Sequence, residues 1–272
     1  MSNILVFGRG YIGSTIGAYF ECPIMEEHIT TYDDIQELID THKPKVVIGS
    51  FGHISKNIDD CEIDKTGTLR DLMLLPTLLA EAAARNNLKM VHISNGSIYN
   101  SSKDPISENE APNFFDSFYS RAKIYTESIL NSLSEITNIL QVRIMHPLSY
   151  VPHPRNLLTR LLLYQKITAI PVSVTYMPDF LPALKHLIKM DAEGIYNVVN
   201  YGGLKYPELL EEYRKFDINY NYAVMDPTEL KTIRTHPVLS TDKLEESGFP
   251  VRDIHDILHE CCEQYWKHIN KR

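Results

Sequence analysis

Basic residues are in deficit: 27 Lys and Arg stand against 35 Asp and Glu, a net charge of −8. No basic cluster offsets this, which argues against a nucleic-acid partner and leaves any anionic substrate to local cations rather than a global field. Long apolar runs are missing too. Ile4-Leu-Val-Phe7 stops at Gly8, too short for a secretory signal. Leu157 to Leu163 is broken by Thr159 and Arg160, well below the ~20 residues of a membrane span. Cysteine is scarce. Cys22, Cys61, Cys261 and Cys262 show no C-x-x-C spacing and no histidines at metal-ligand distances, so no metal site and reduced thiols in cytoplasm are expected. Repeats and low-complexity tracts are absent.

What remains is an ordinary globular composition, 43% hydrophobic and 23% charged over 272 residues. That is room for one large α/β domain, or for a nucleotide-binding domain with a smaller lobe. Compact apolar runs at Ile4–Phe7, Val46–Ile48, Met90–Ile93 and Leu140–Met145 read as buried parallel strands. They alternate with helical patterns from Gly13 through Phe20, Asp34 to Thr41, Thr68 to Asn86 (kinked or offset at Pro76) and Phe118 to Leu133. Between Cys22 and Tyr32 the pattern is weak. The alternation predicts an α/β fold, a Rossmann-type doubly wound parallel sheet with a smaller C-terminal substrate-binding lobe. Residues 1–147 form the expected NAD(P)-binding domain. Beyond Pro147 proline becomes dense and elements shorten. Residues 148–272 are therefore read mainly as the substrate lobe, partly interleaved with the first domain and completed by a strand at Gly194–Val199 and a terminal helix from Asp253 to Ile269.

Gly8-x-Gly10-x-x-Gly13 lies between the first strand and the first helix, the context a dinucleotide fingerprint requires. The first glycine makes the turn, the second lets backbone approach a pyrophosphate, and the third lets helix pack on sheet. The helix N-terminus then faces the phosphates. Gly8, Arg9, Gly10, Tyr11, Ile12 and Gly13 are thus the first cofactor-binding candidates. Asp33 and Asp34 fall at the spacing of the acid that meets ribose hydroxyls, but no convincing strand precedes them. Arg9 could instead meet a 2′-phosphate, which favours NADP(H) over NAD(H).

A tyrosine four residues before a lysine on a helix shares its face. The ammonium favours phenolate and would draw a pKa of about 10 towards neutrality, producing a proton donor for carbonyl reduction. Three such pairs exist: Tyr99/Lys103, Tyr119/Lys123 and Tyr201/Lys205. The first runs through Asn, Ser and Asp-Pro, and the third contains Gly202-Gly203. Only Tyr119/Lys123 begins an amphipathic helix after a strand, where it can face a nicotinamide. Lys123 would also hold the nicotinamide ribose.

Together, Gly8-Arg-Gly-Tyr-Ile-Gly13, Ala111-Pro-Asn-Phe114, Ser117-Phe-Tyr-Ser-Arg-Ala-Lys123, Pro154-Arg-Asn156, Ile170-Pro171, Gly194-Ile-Tyr-Asn197 and Arg234 with Asp242-Lys-Leu244 resemble the extended short-chain dehydrogenase/reductases. Within them the chain is similar to nucleotide-sugar 4-reductases of the dTDP-4-dehydrorhamnose reductase type. It is closer still to the bifunctional UDP-4-keto-6-deoxyglucose 3,5-epimerase/4-reductases that make UDP-rhamnose. The resemblance implies that Tyr119 protonates the sugar C4 oxygen and Lys123 activates it. It implies that Ser50, Phe51 and Gly52 line the adenosine side of the cofactor and that His146 packs near the nicotinamide. Arg155, Asn156 and Arg234 would meet the nucleotide diphosphate, whose charge suits Arg forks. A nucleotide sugar is the implied partner, and a homodimer through helices of the first half is compatible with it.

Two departures stand out. The Ser or Thr that accompanies the family's tyrosine falls at Asn95, whose amide can still donate to a carbonyl. The cysteine used as an acid in epimerising relatives falls at Ser97, a poor proton shuttle, and the family's basic partner falls at Arg160, which stays protonated. The sequence therefore points to a 4-reductase of a UDP- or dTDP-linked 4-keto-6-deoxyhexose. A bifunctional 3,5-epimerase/4-reductase and a non-catalytic cofactor-binding regulatory subunit stand as alternatives.

Overall fold

The structure, a computed structural model, describes residues 3–25, 29–52, 59–102, 104–229 and 234–270. It divides into two compact units. One takes Met1–Ile98, Pro112–Arg143 and Asp191–Tyr196, the other Tyr99–Ala111, Ile144–Met190 and Asn197–Arg272.

The first unit is built on a six-stranded sheet. Its strands are β1 (Ile4–Phe7), β2 (Ile24–Met25), β3 (Val46–Gly49), β4 (Lys89–Asn95), β5 (Ile139–Ile144) and β6 (Gly194–Asn197), in the order β2-β1-β3-β4-β5-β6. The pairings β1–β2, β1–β3 and β3–β4 are parallel, with Phe7 opposite both Met25 and Gly49, and Gly49 opposite His92. Both faces are covered by helices α1 (Tyr11–Phe20), α2 (Tyr32–His42), α3 (Leu75–Arg85) and α4 (Phe118–Leu133). Double coverage explains why the strands read as continuous apolar runs. Leu5, Phe7, Val47, Leu79, Ala83 and Met90 share one core cluster. The strand order reverses between β1 and β3, and in such sheets ligands bind outside the carboxyl ends of the strands at that point.

Two sequence expectations are corrected here. The weak stretch after Cys22 does contain a strand, β2, held because Val6 N–H donates to Pro23 O at 3.1 Å beside a two-residue register with β1. The strand at Gly194 ends at Asn197 and belongs to this sheet rather than completing the C-terminal lobe. The expected irregularity at Pro76 takes a definite form. Lys65–Leu69 is α-helical, Arg70–Leu74 is a π-helical turn, and α3 follows. Pro76 has no N–H to donate to the carbonyl of Leu72, four residues back. That carbonyl is met instead by the Thr126 hydroxyl of α4 at 2.7 Å. A backbone defect in one helix thereby docks another, and α4 is the helix that carries Tyr119.

The second unit packs helices α5 (Met177–Lys189), α6 (Tyr206–Arg214) and α7 (Ile254–Asn270) with two small two-stranded sheets. Leu204, Leu209, Leu258, Cys261 and Tyr265 lie in its core. No helix among the described residues is long and apolar enough to cross a membrane.

Candidate active site

The glycine loop leaves β1 and enters α1. Gly8 has φ +108°, and a Cβ there would sit 2.3 Å from Ser50 O; at Gly13 a Cβ would sit 1.7 Å from Gly8 O. Both positions require glycine, for conformation and for close approach respectively. Gly10 is different: its Cβ would meet nothing within 4 Å. As the N-cap of α1 it offers no side-chain hydrogen bond, and no acid occupies the first turn. First-turn N–H groups lack intrahelical partners, so an open backbone and an uncapped positive helix end stand together. That is a cradle an anionic pyrophosphate fits.

On the facing loop after β3, Ser50 N–H donates to Phe7 O at 2.7 Å. The Phe51 side chain packs in the apolar core, where its ring abuts Gly49. Gly52 is exposed. Of the two acids at ribose-binding spacing, Asp34 is engaged elsewhere. Its Oδ2 accepts from Thr30 N at 2.7 Å and Thr31 N at 2.9 Å, closing the capping box that starts α2. These bonds hold its carboxyl at about 2. Arg9 is exposed on the loop.

Tyr119 lies in the first turn of α4 and Lys123 one turn on. The N-cap Ser117 accepts from Ser120 N–H at 3.1 Å and donates to Ser120 Oγ at 2.8 Å. Ser120 then donates to Ser97 O at 2.6 Å. The turn after β4 is also braced from within, by Ser97 N–H donating to Asn95 Oδ1 at 2.7 Å. That bond fixes which end of the Asn95 amide is oxygen. The Nδ2 group donates to no described residue, and neither does the Tyr119 hydroxyl. Ser94, the neighbour considered with Asn95, is buried and donates to Glu127 Oε1 at 2.6 Å. Asn95, Ser97, Tyr119 and Lys123 thus fall in one unit with the glycine loop. Ser117, Ser120 and Glu127 were missed by sequence reasoning. The only signals were a Ser-x-x-Ser cap and a third residue on the Tyr119–Lys123 face.

Electrostatics correct one expectation. Burial pushes the Tyr119 phenol up, not towards neutrality, with Cys61 adding to the effect. The same burial pulls the Lys123 ammonium down to about 8, against the attraction of Glu127. Lys123 is 3% exposed, and its Nζ donates to Ile93 O at 3.4 Å. Desolvation thus dominates at both groups, Lys123 being buried and Tyr119 half-buried.

The remaining candidates, His146, Arg155, Asn156 and Arg234, lie in the second unit. His146 adopts φ +36° and packs edge-on to Tyr206, ring centroids 5.9 Å apart. Burial, with Arg160, His236 and Arg234, holds its imidazole down at about 3. Arg160 and Arg234 also act together on the Tyr206 phenol. These two arginines therefore form one cationic locality, and Arg160 joins Arg234 as an anion-binding candidate. Arg155 is exposed. Asn156 is corrected: it is fully buried, its amide donates to Ser149 O at 2.7 Å and Val151 O at 2.9 Å, and its oxygen accepts from the N–H of Ser149 and Leu158. All four bonding positions are filled, so it pins its loop and has no proton left for a diphosphate.

Residues 4–166 match the family described as NAD dependent epimerase/dehydratase. The chain is 31% identical over 233 residues to a bifunctional dTDP-4-dehydrorhamnose 3,5-epimerase/dTDP-4-dehydrorhamnose reductase of Arabidopsis thaliana, covering 79% of this chain and 75% of that one. It is also 31% identical to a trifunctional UDP-glucose 4,6-dehydratase/UDP-4-keto-6-deoxy-D-glucose 3,5-epimerase/UDP-4-keto-L-rhamnose-reductase of the same plant, covering 79% of this chain and 34% of that one. The chain thus spans about a third of the length of such trifunctional relatives. Among solved structures, the L780 UDP-rhamnose synthase from Acanthamoeba polyphaga mimivirus aligns with a TM-score of 0.88 at 25% identity, covering 96% of this chain and 98% of that one. A dTDP-4-dehydrorhamnose reductase from Bacillus anthracis in complex with NADP shares the fold, with a TM-score of 0.80 at 17% identity and 99% of each chain covered. On the matched residues and the curated relatives, the chain belongs to the NAD dependent epimerase/dehydratase family.

Proposed function

We propose that the protein is a nicotinamide-dependent 4-reductase of a UDP- or dTDP-linked 4-keto-6-deoxyhexose in rhamnose-type deoxysugar synthesis. The observation that carries the reading is the tie between Ser120 Oγ and Ser97 O, which fixes the Tyr119 helix to the Asn95 turn in the unit that holds the glycine loop. The bound cofactor would supply hydride to the sugar C4. The chain's own residues do the rest. The Gly8–Gly13 backbone holds the pyrophosphate, and Lys123 holds the nicotinamide ribose. Tyr119 gives its proton to the C4 oxygen, and the Asn95 amide donates to the same oxygen in place of the family's hydroxyl.

Residues 1–147 would carry the cofactor and residues 148–272 most of the nucleotide sugar, with Arg155, Arg160 and Arg234 as cations for the diphosphate and His146 beside the nicotinamide. Exposed Arg9 and the engagement of Asp34 in a helix cap favour NADPH. Glu26 and Glu27, which follow β2 directly in the sequence, would favour NADH if one of them meets the ribose hydroxyls.

The similarity to a bifunctional epimerase/reductase over 75% of its length supports a second reading, in which 3,5-epimerisation is retained. One assay separates the two. NADPH and NADH oxidation is followed with UDP- and dTDP-4-keto-6-deoxyglucose, alone and with a separate 3,5-epimerase. Turnover only after epimerase addition is expected for the bare reductase, and turnover without it for the bifunctional enzyme. Cofactor binding without turnover in either case would leave a regulatory subunit.

A further inference from the structure

Tyr119, Lys123 and Glu127 recur every four residues on α4 and so share one face. Glu127 is 3% exposed, and its carboxylate is held from two strands. Arg143 on β5 places Nε 3.1 Å from both oxygens and Nη2 2.7 Å from Oε2, and Ser94 on β4 donates to Oε1 at 2.6 Å. A carboxylate this deep stays charged only with such partners. Ile93, next to Ser94, is the residue whose carbonyl meets Lys123 Nζ at 3.4 Å. Adjacent residues of one strand therefore hold the carboxylate and the ammonium.

We propose that Glu127, clamped by Arg143 and Ser94, is the positioning residue that keeps Lys123 charged and in place. This rests on the reading of Lys123 as the partner of Tyr119. Besides Glu127, the titratable groups to weigh around Lys123 lie on three elements. His92 on β4 is fully buried and neutral, with neither ring nitrogen hydrogen-bonded among the described residues. Cys61, on the helix Asp60–Ile63, is a thiol pushed up by burial. Tyr119 is likewise pushed up and uncharged near neutral pH. Glu127 is thus the full negative charge among them, and it works against the burial that pulls Lys123 down.

The test is an NMR titration of the Lys123 side chain in cofactor-free protein carrying labelled lysine, the signal being assigned by its loss in Lys123→Met. In Glu127→Gln/Arg143→Met, which removes both buried charges together, Lys123 is expected to titrate about one pH unit lower or more. Glu127→Asp, which keeps the charge but withdraws it by one methylene, should give less than half that shift. The alkaline limb of kcat should move by the same amounts, with KM for the nucleotide sugar unchanged. Lys123 titrating as in the wild type in the double variant would overturn the proposal, as would an unmoved titration in Glu127→Asp should the double variant fail to fold. A shifted titration in a protein that turns over no nucleotide sugar supports the Glu127 role and refutes the reductase reading instead.

Discussion

The hydroxyl of Ser120 donates to the carbonyl oxygen of Ser97 at 2.6 Å, so the residue beside Tyr119 in the chain also holds the turn that carries Asn95. Ser120→Ala removes that brace. A stability loss of about 1 kcal/mol is expected from the missing bond, together with a roughly tenfold fall in kcat from misplacement of the donors. Cofactor affinity, set by the glycine loop, should hold. Equilibrium unfolding, steady-state kinetics and a cofactor binding titration check the three parts. An unchanged kcat would show that the tie is structural only.

Asn95 can be split into its two ends. Its oxygen accepts from Ser97 N–H, and its amide is the proposed donor to the sugar carbonyl. Asn95→Asp keeps an acceptor and loses the donor, so kcat should fall by about 100-fold, the usual cost of a lost oxyanion donor, with near-native stability. Asn95→Ser restores a donating hydroxyl and should stay within about tenfold of the wild type. Equal kinetics for the Asp and Ser variants would remove Asn95 from the chemistry.

Lys123 trades stability for function. Its folded-state pKa is about 8, below its unfolded value of about 10.4. The burial penalty is therefore complete below pH 8 and is relieved as pH rises from there to above 10, where both states are neutral. The difference corresponds to about 3 kcal/mol at 1.36 kcal/mol per pKa unit. Lys123→Met should accordingly be more stable than the wild type at pH 7, by up to that amount, and nearly equal to it at pH 10.5, while losing turnover. Urea unfolding at the two pH values decides; a Met variant less stable at pH 7 would contradict the burial argument.

Legibility in the sequence followed the range of the interactions involved. β1, the glycine loop and α1 announce themselves because strand, turn and helix cap are contiguous, and α4 was placed at Phe118–Leu133 from its amphipathic pattern. β2 was invisible. Two residues after Pro23 carry no period, and what makes them a strand is a backbone pairing with β1. The Pro76 irregularity was readable, but its satisfaction by Thr126, 54 residues away from Leu72, was not. Site residues divide the same way. Tyr119 and Lys123 follow from helix spacing, whereas Glu127 gains its meaning from Arg143 on another strand. Asn156 looked like a ligand because motif spacing cannot show that an amide's bonds are already filled.

Two histidines, His92 fully buried and His146 half-buried, contribute to the response to acid. His146 is held down at about 3 and His92 well below its ordinary value, both chiefly by burial. Each is neutral in the folded protein at pH values where the unfolded chain, with a histidine pKa near 6.5, binds a proton. Stability is therefore complete above about pH 6.5 and falls as pH drops, by about 1.4 kcal/mol per pH unit for each such histidine. His92→Leu takes one proton out of this balance and removes two ring nitrogens that no described residue partners. The variant should be at least as stable as the wild type at pH 7, and its advantage should widen steadily between pH 6 and pH 4.5, as followed by thermal unfolding across that range. Parallel stability curves for the two proteins would show that His92 is already protonated in the fold.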